Sequence, residues 1–196
     1  LVSEFNDPAV VIVKHANPCG VAIADKIDVA WSKALKTDPV SAFGGIVALN
    51  RTINLTIAKK LSELFLEVVI APGITNHAQK VLLKKRNLRI LISNSSLQNQ
   101  KNNYIIKSAF GGFLIQTKDK EDLKKINLNV VTKRVPSKKE LDDLFFAWIV
   151  AKHTKSNAIV YAKNKMTTGI GAGQMSRIDS VLIAMRKAKN TALIEG

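Results

Sequence analysis

The sequence contains one cysteine, Cys19, in 196 residues. A single thiol cannot close an internal disulfide, so the fold is not stapled, and a reducing cytoplasm suits it. A chain of this length buries about 70% of its unfolded surface and needs neither staple nor metal to fold. No apolar run approaches the roughly 18 to 20 residues of a membrane span. The longest, 10–13 and 68–71, are strand-sized. The opening Leu1-Val2-Ser3-Glu4-Phe5 lacks the basic and apolar regions of a secretion signal, and it lacks an initiator Met. The expectation is a cytoplasmic protein without a membrane partner, taken from inside a longer chain. The end at Glu195-Gly196 suggests the same.

Acidic residues are scarce. There are 15 against 30 basic ones, for a formal charge of +15. Such an excess invites a nucleic-acid reading, because phosphate neutralisation drives nonspecific binding. The excess is mostly Lys, 24 against 6 Arg, scattered over helix faces with short clusters at Lys84-Lys85-Arg86 and Lys124-Lys125. Base readout and bidentate phosphate clamps favour Arg. Single-strand platforms need exposed aromatics, whereas Trp31, Phe145, Phe146 and Trp148 fall in amphipathic helices. Solvated charge is the preferred reading, with no specific nucleic-acid partner. The positive field also favours an anionic small ligand.

Apolar residues make up 46% and charged residues 23%, ordinary globular values. Residues 10–13 form a β-branched run that reads as a buried strand. Ala16-Asn17-Pro18-Cys19-Gly20 then breaks the chain. Residues 28–36 have helical spacing and stop at Thr37-Asp38-Pro39. Residues 46–49 read as a strand. Asn54 is a plausible N-cap for the stripe of Leu55, Ala58, Leu61, Leu64 and Phe65. Strands at 67–71 and 88–92 flank a basic helix at 75–86. Strands alternating with helices at this spacing predict a parallel α/β sheet.

Residues 93–103 read as a loop, and 104–106 and 112–116 as further strands. A boundary falls near 117–130, dividing the chain into a first α/β subdomain at 1–120, a linker at 121–136 and a partial second subdomain at 137–196. Ser137 and Glu140 form a capping box. The stripe that follows is Leu141, Leu144, Phe145, Trp148 and Ile149. Residues 156–162 and 167–170 read as a hairpin around Lys163-Asn164-Lys165, followed by a helix over 175–189.

The candidate chemistry starts at Lys14-His15, where the first strand ends. His titrates near neutrality and can accept a proton from an amine nucleophile. An adjacent ammonium can stabilise an oxyanion. Ser41-Ala42-Phe43-Gly44-Gly45 allows close backbone approach to a ligand, or simply a turn. Glu67 can accept from a ligand amine, or is ordinary surface charge. Gly169-Ile170-Gly171-Ala172-Gly173-Gln174 resembles a phosphate loop but misses the dinucleotide spacing, so a Gly-rich junction is the simpler reading. His15-Ala16 and Pro18-Cys19 echo the zinc-deaminase signature. Asn17 stands where its Glu belongs and Ala22 where its second Cys belongs, so no zinc is expected. His77 and His153 lack ligand spacing.

Together these segments are more specific. Val13-Lys14-His15-Ala16-Asn17-Pro18-Cys19-Gly20, Thr37-Asp38-Pro39-Val40-Ser41-Ala42-Phe43-Gly44-Gly45 and Glu67-Val68-Val69-Ile70-Ala71-Pro72 resemble the transformylase region of the AICAR transformylase/IMP cyclohydrolase family. Lys155-Ser156-Asn157-Ala158-Ile159-Val160-Tyr161-Ala162 and Gly169-Ile170-Gly171-Ala172-Gly173-Gln174-Met175-Ser176-Arg177 continue the match in order.

The resemblance implies an α/β fold of two cytidine-deaminase-like subdomains, a mixed sheet flanked by helices, with the second subdomain incomplete. It implies formyl transfer from 10-formyltetrahydrofolate to the 5-amino group of AICAR in purine (IMP) biosynthesis. His15 resembles the proton acceptor, Lys14 the transition-state stabiliser and Asn157 the residue orienting the nucleotide carboxamide. Phe43, Gly44 and Glu67 resemble nucleotide-contacting positions, and Arg177 a folate-contacting one. Thr154 and Ser156 resemble part of a potassium site. The implied assembly is a homodimer, with Asn157 serving the site of the other chain. The cyclohydrolase domain and the last family segment are not in this sequence. That leaves two alternatives: a noncatalytic remnant that only dimerises, or a basic nucleic-acid-binding module.

Overall fold

The computed structural model describes residues 1–93, 104–119 and 128–195, and side chains as far as 189. Two compact units emerge. One comprises Leu1–Asn94 with Pro136–Gly196, the other Ser95–Val135.

The first unit is built on a seven-stranded sheet. Its strands are β1 (Ala9–Lys14), β2 (Asn17–Ile23), β3 (Gly45–Leu49), β4 (Leu66–Ala71), β5 (Arg89–Ile92), and, from the second half of the chain, β8 (Ile159–Lys163) and β9 (Met166–Gly171). Their order is β5-β4-β3-β1-β2-β9-β8. The second unit holds a hairpin of β6 (Tyr104–Ala109) and β7 (Gly112–Thr117).

The helices are α1 (Ile27–Thr37), α2 (Pro39–Ala42), α3 (Leu55–Ser62), α4 (Asn76–Leu82), α5 (Lys138–Lys152) and α6 (Arg177–Glu195). The pleat sends alternate residues of β1 to opposite faces. Val10 and Ile12 join Ala30, Trp31, Ile57 and Leu61 in a core under α1, α3 and α4. Ala9 and Val11 join Phe5, Phe146, Val150 and Ile170 under α5. On the first of these faces α6 lies almost on the backbone of β9. A Cβ at Gly169 would stand 2.1 Å from the Ala184 carbonyl oxygen, and one at Gly171 1.9 Å from that of Ser180. At Gly169 and Gly171 the Gly-rich motif is therefore a helix–strand contact that no larger residue permits.

Several expectations change. The sheet is mixed, as the family resemblance implies, and not the parallel sheet that the strand–helix spacing predicts. β3, β4 and β5 run parallel, while β1 is antiparallel to both β2 and β3. The chain does not break after Lys14. It turns through His15-Ala16 and continues as β2, with Pro18 seated where the register shifts between Ile12 and Val13. A bulge is where a strand tolerates a residue without an N–H. On α5 the capping box forms as expected. The buried residues there are Phe146 and Val150, however, and Leu144 and Trp148 of the expected stripe are exposed. The expected division at 121–136 separates segments that share one sheet: Ala22 of β2 pairs with Met166 of β9. Buried hydroxyls join them as well. Thr167 Oγ1 accepts the Val21 N–H at 2.9 Å, and Thr37 Oγ1 donates to the Thr167 carbonyl at 2.6 Å. Residues 94–103 and 120–127, which cover the expected loop and part of the linker, lie outside the described residues.

Candidate functional site

The topology gathers the sequence candidates at one end of the sheet. β1 and β9 end there, while β2, β3, β4, β5 and β8 begin there. Lys14 closes β1, Asn17 opens β2, Gly45 opens β3, and Leu66-Glu67 opens β4. The loop 153–158 leads into β8, and the loop 172–176 leaves β9. Open α/β sheets place ligands at strand C-termini. This end is the C-terminal end of β1 and β9 but the N-terminal end of the parallel strands β3 to β5, because β1 runs against β3.

His15 and Ala16 form a two-residue turn, both with positive φ, 49° and 69°. Such turns suit the twist of a hairpin but usually carry Asn-Gly. A side chain in this region costs about 1 to 2 kcal/mol, so the backbone that carries the exposed His15 is held in a sparsely populated conformation. Beside it, Lys14 donates through Nζ to the Phe43 carbonyl at 2.6 Å. Phe43 follows α2, which Asp38 caps by accepting the Ser41 N–H at 3.1 Å and the Ser41 hydroxyl at 2.6 Å. Lys187 of α6 adds an ion pair to Asp38 Oδ2 at 2.6 Å.

Gly44 has φ +67° and donates its N–H to the Phe65 carbonyl at 2.8 Å. A Cβ at Gly44 would lie 3.1 Å from Lys14 Nζ and 3.5 Å from the Phe65 ring. Phe43 and Phe65 rings pack with centroids 5.2 Å apart. Gly45 pairs with Leu66 and Ile46 with Val68, which leaves Glu67 as the extra, exposed residue of a bulge. Bulges re-aim a side chain. Lys14, Phe43 and Gly44 are thus in direct contact, and Glu67 stands at the adjoining strand start.

Asn157 belongs to the second loop. Its Nδ2 donates to the carbonyls of Gln174 and Met175, both at 2.9 Å, and its own carbonyl accepts the Ser180 hydroxyl at 2.8 Å. Thr154 is buried and donates its hydroxyl back to Val150 at 2.8 Å. Ser156 and Arg177 are exposed, the latter as the first residue of α6. The two loops are linked through Asn17, whose Oδ1 accepts the Lys155 N–H at 2.9 Å.

Asn17, Phe65 and Asp38 were not singled out as site residues from sequence. An Asn that opens a strand, a Phe before one and an Asp before proline all read as ordinary boundary residues. Only the folded register shows what they join. Cys19 is inert here: burial, and then the Asp38 charge, push its thiol up to about 12. His153, which lacks metal-ligand spacing, pairs with Glu4. Among the described residues no group of three or more His, Cys, Asp or Glu side chains could hold a metal ion, and no helix is long and apolar enough to cross a membrane.

The fold and this strand-end cluster define a mixed-sheet α/β protein that presents an imidazole, an ammonium and an anchored carboxamide at one end of the sheet. These are the groups that general-base catalysis with oxyanion stabilisation uses. A model described as AICARFT/IMPCHase bienzyme matches residues 1–187, and the chain belongs to that family. Three similar proteins carry the name bifunctional purine biosynthesis protein PurH. The one from Magnetococcus marinus is 50% identical over 198 residues, covering 100% of this chain and 37% of its own length. The one from Thermoanaerobacter sp. is 52% identical over 192 residues, 98% of this chain and 37% of its own length. The one from Brucella ovis is 52% identical over 200 residues, 100% of this chain and 37% of its own length. The chain therefore spans well under half the length of these relatives.

Proposed function

We propose that this chain carries part of a formyl-transfer site that moves the formyl group of 10-formyltetrahydrofolate to the 5-amino group of AICAR. The observation that carries the reading is the convergence of Lys14, His15, Phe43, Gly44, Glu67 and the Asn157 loop at one sheet end. Family membership and the purine-biosynthesis relatives support it. The cyclohydrolase half of the family's name is assigned to no residue here.

In this reading the amine nitrogen attacks the formyl carbon and the carbonyl electrons move to oxygen. His15 takes the proton that the amine loses. The Lys14 ammonium uses one of its three donors on the Phe43 carbonyl, and the others serve the developing oxyanion. Collapse restores the carbonyl, the bond to the folate N10 breaks, and that nitrogen leaves with the proton that His15 gives back. Asn157 uses its Nδ2 on two backbone carbonyls, so the group it presents is its oxygen, an acceptor suited to the AICAR carboxamide N–H2. Gly44 and Glu67 line the nucleotide side, with Phe43 beside them, and Arg177 meets the folate. Thr154 and Ser156 offer hydroxyl oxygens, the hard donors an alkali cation takes. They would hold a potassium ion, whose charge would steady the loop before Asn157. A homodimer in the cytoplasm completes the reading. The Asn17–Lys155 hydrogen bond, which joins the His15 turn to the Asn157 loop within one chain, supports Asn157 serving its own chain's site rather than the other chain's site that the family resemblance implies. The exposed Leu144 and Trp148 on α5 support a partner surface, and the single, half-buried thiol supports a reducing compartment.

Thermal unfolding with AICAR, and with inosine as control, tests the nucleotide site. A ligand at about 100 times its dissociation constant adds roughly 2.7 kcal/mol to stability. A shift with AICAR that His15→Asn diminishes supports the reading. No shift in a cooperatively unfolding chain counts against it.

A further inference from the structure

Helix α6 reaches both loops of the site from one face. Ser180, Ala184 and Lys187 follow helical spacing, and the first two are fully buried against the sheet. Ser180 donates its hydroxyl to the Asn157 carbonyl at 2.8 Å. Two turns on, Lys187 pairs with Asp38 Oδ2 at 2.6 Å. Asp38 is buried and caps α2, and Phe43, the residue after that helix, holds the Lys14 ammonium through its carbonyl. None of the roles above uses Lys187.

Exposed ion pairs fix little, but removing one partner of a buried pair leaves an uncompensated charge. The Asp38 carboxylate is such a charge. After burial, the Cys19 thiol responds to Asp38 and then to Lys187 and Lys14, so the three charges lie around one side chain. Lys14 is thus a second cation in the field of this carboxylate.

We propose that Lys187 is a positioning residue for formyl transfer: by neutralising Asp38 it leaves the Lys14 ammonium on the Phe43 carbonyl, where the developing oxyanion meets it. The inference rests on the formyl-transfer reading. Without Lys187 the bare carboxylate draws the Lys14 ammonium toward itself, away from the reacting carbonyl. Lys187 acts through Asp38 and Lys14 and meets neither substrate.

The test compares initial rates of formyl transfer in the protein carrying this chain, with thermal unfolding of each form. The forms are wild type, Lys187→Met, Lys187→Arg, Lys187→Met/Asp38→Asn and Lys14→Met. Lys187→Met should lower kcat about 10- to 100-fold, as displacing a reacting group by about 1 Å does, with KM for AICAR within about twofold. Lys187→Arg keeps the cation and should hold kcat within about threefold of wild type. The double variant keeps an acceptor for the Ser41 N–H but has no carboxylate to draw Lys14, so it should recover most of the lost rate. A merely structural pair would give no such recovery. Wild-type kcat in a folded Lys187→Met, beside an inactive Lys14→Met, overturns the inference and leaves the transfer reading standing. So does a loss of kcat that neither Lys187→Arg nor the double variant repairs. A rise in KM for AICAR at unchanged kcat also overturns it, because Lys187 would then be a nucleotide contact. Should Lys187→Met not fold, the double variant decides: kcat near wild type supports the inference, and kcat near that of Lys14→Met overturns it. Full activity in Lys14→Met, or no transfer by the wild type, fails the transfer reading itself and the inference with it.

Discussion

Asn17 accepts the Lys155 N–H through Oδ1 at 2.9 Å, and this single bond joins the turn that carries His15 to the loop that carries Asn157. The two residues are 138 positions apart in sequence. Lys14 pairs with Asn17 across the hairpin, so the same strand register that ends β1 also places the anchor. Asn17→Ala removes the acceptor and leaves the Lys155 N–H to water. The expected cost is about 1 kcal/mol of stability. Formyl transfer should fall by a larger factor than that loss explains, because Asn157 is displaced. Urea unfolding and initial rates on the same preparation separate the two effects. Equal losses in both would reduce Asn17 to a structural residue.

Gly44→Ala probes the contact between the Phe43–Gly44 corner and Lys14. The left-handed φ alone costs about 1 kcal/mol. The new Cβ also meets Lys14 Nζ at 3.1 Å, so the ammonium must move from the Phe43 carbonyl. The expected signature is a lowered kcat together with the stability loss. A variant that loses stability but keeps kcat would show that Lys14 has no need of its anchor.

Glu4 sets an acid limb. Its carboxyl lies below its ordinary value of 4.5: burial pushes it up, but the hydrogen bonds and charges of His153 and Lys152 outweigh that. A carboxyl lowered by folding adds stability above its unfolded value and loses it as pH falls through the folded one. Stability of the chain should therefore drop below about pH 4.5, and Glu4→Gln should flatten that part of the curve. Unchanged curvature in Glu4→Gln would assign the limb to other groups.

Much of this architecture is legible in the sequence. β-branched runs mark β1 and β4, Asn54 caps α3, and Ser137 with Glu140 starts α5. These are local signals, with partners within a few residues. What fails to show is register between distant segments. Nothing before Asn17 signals that β2 will run through a proline, or that β9 will pair with it from the far half of the chain. The α5 stripe misled because five apolar residues fit helical spacing, while the face that meets β8 and β9 is the one bearing Phe146 and Val150. For the site, Lys14, His15, Phe43 and Gly44 stand out as a strand end and a Gly pair. Asp38, Phe65 and Asn17 appear only once the chain has brought them to the same edge.

The account stands or falls on the proton transfer assigned to His15. The direct test is the rate of formyl transfer from 10-formyltetrahydrofolate to AICAR in the protein carrying this chain, with His15→Asn as the variant. Asn tolerates the left-handed turn, so the hairpin is kept while the base is lost. The prediction is a fall in kcat of about 10² to 10⁴, the usual contribution of a positioned general base, with thermal stability held. A folded His15→Asn protein that transfers formyl within about twofold of the wild-type rate would contradict the role of His15 and the site built around it.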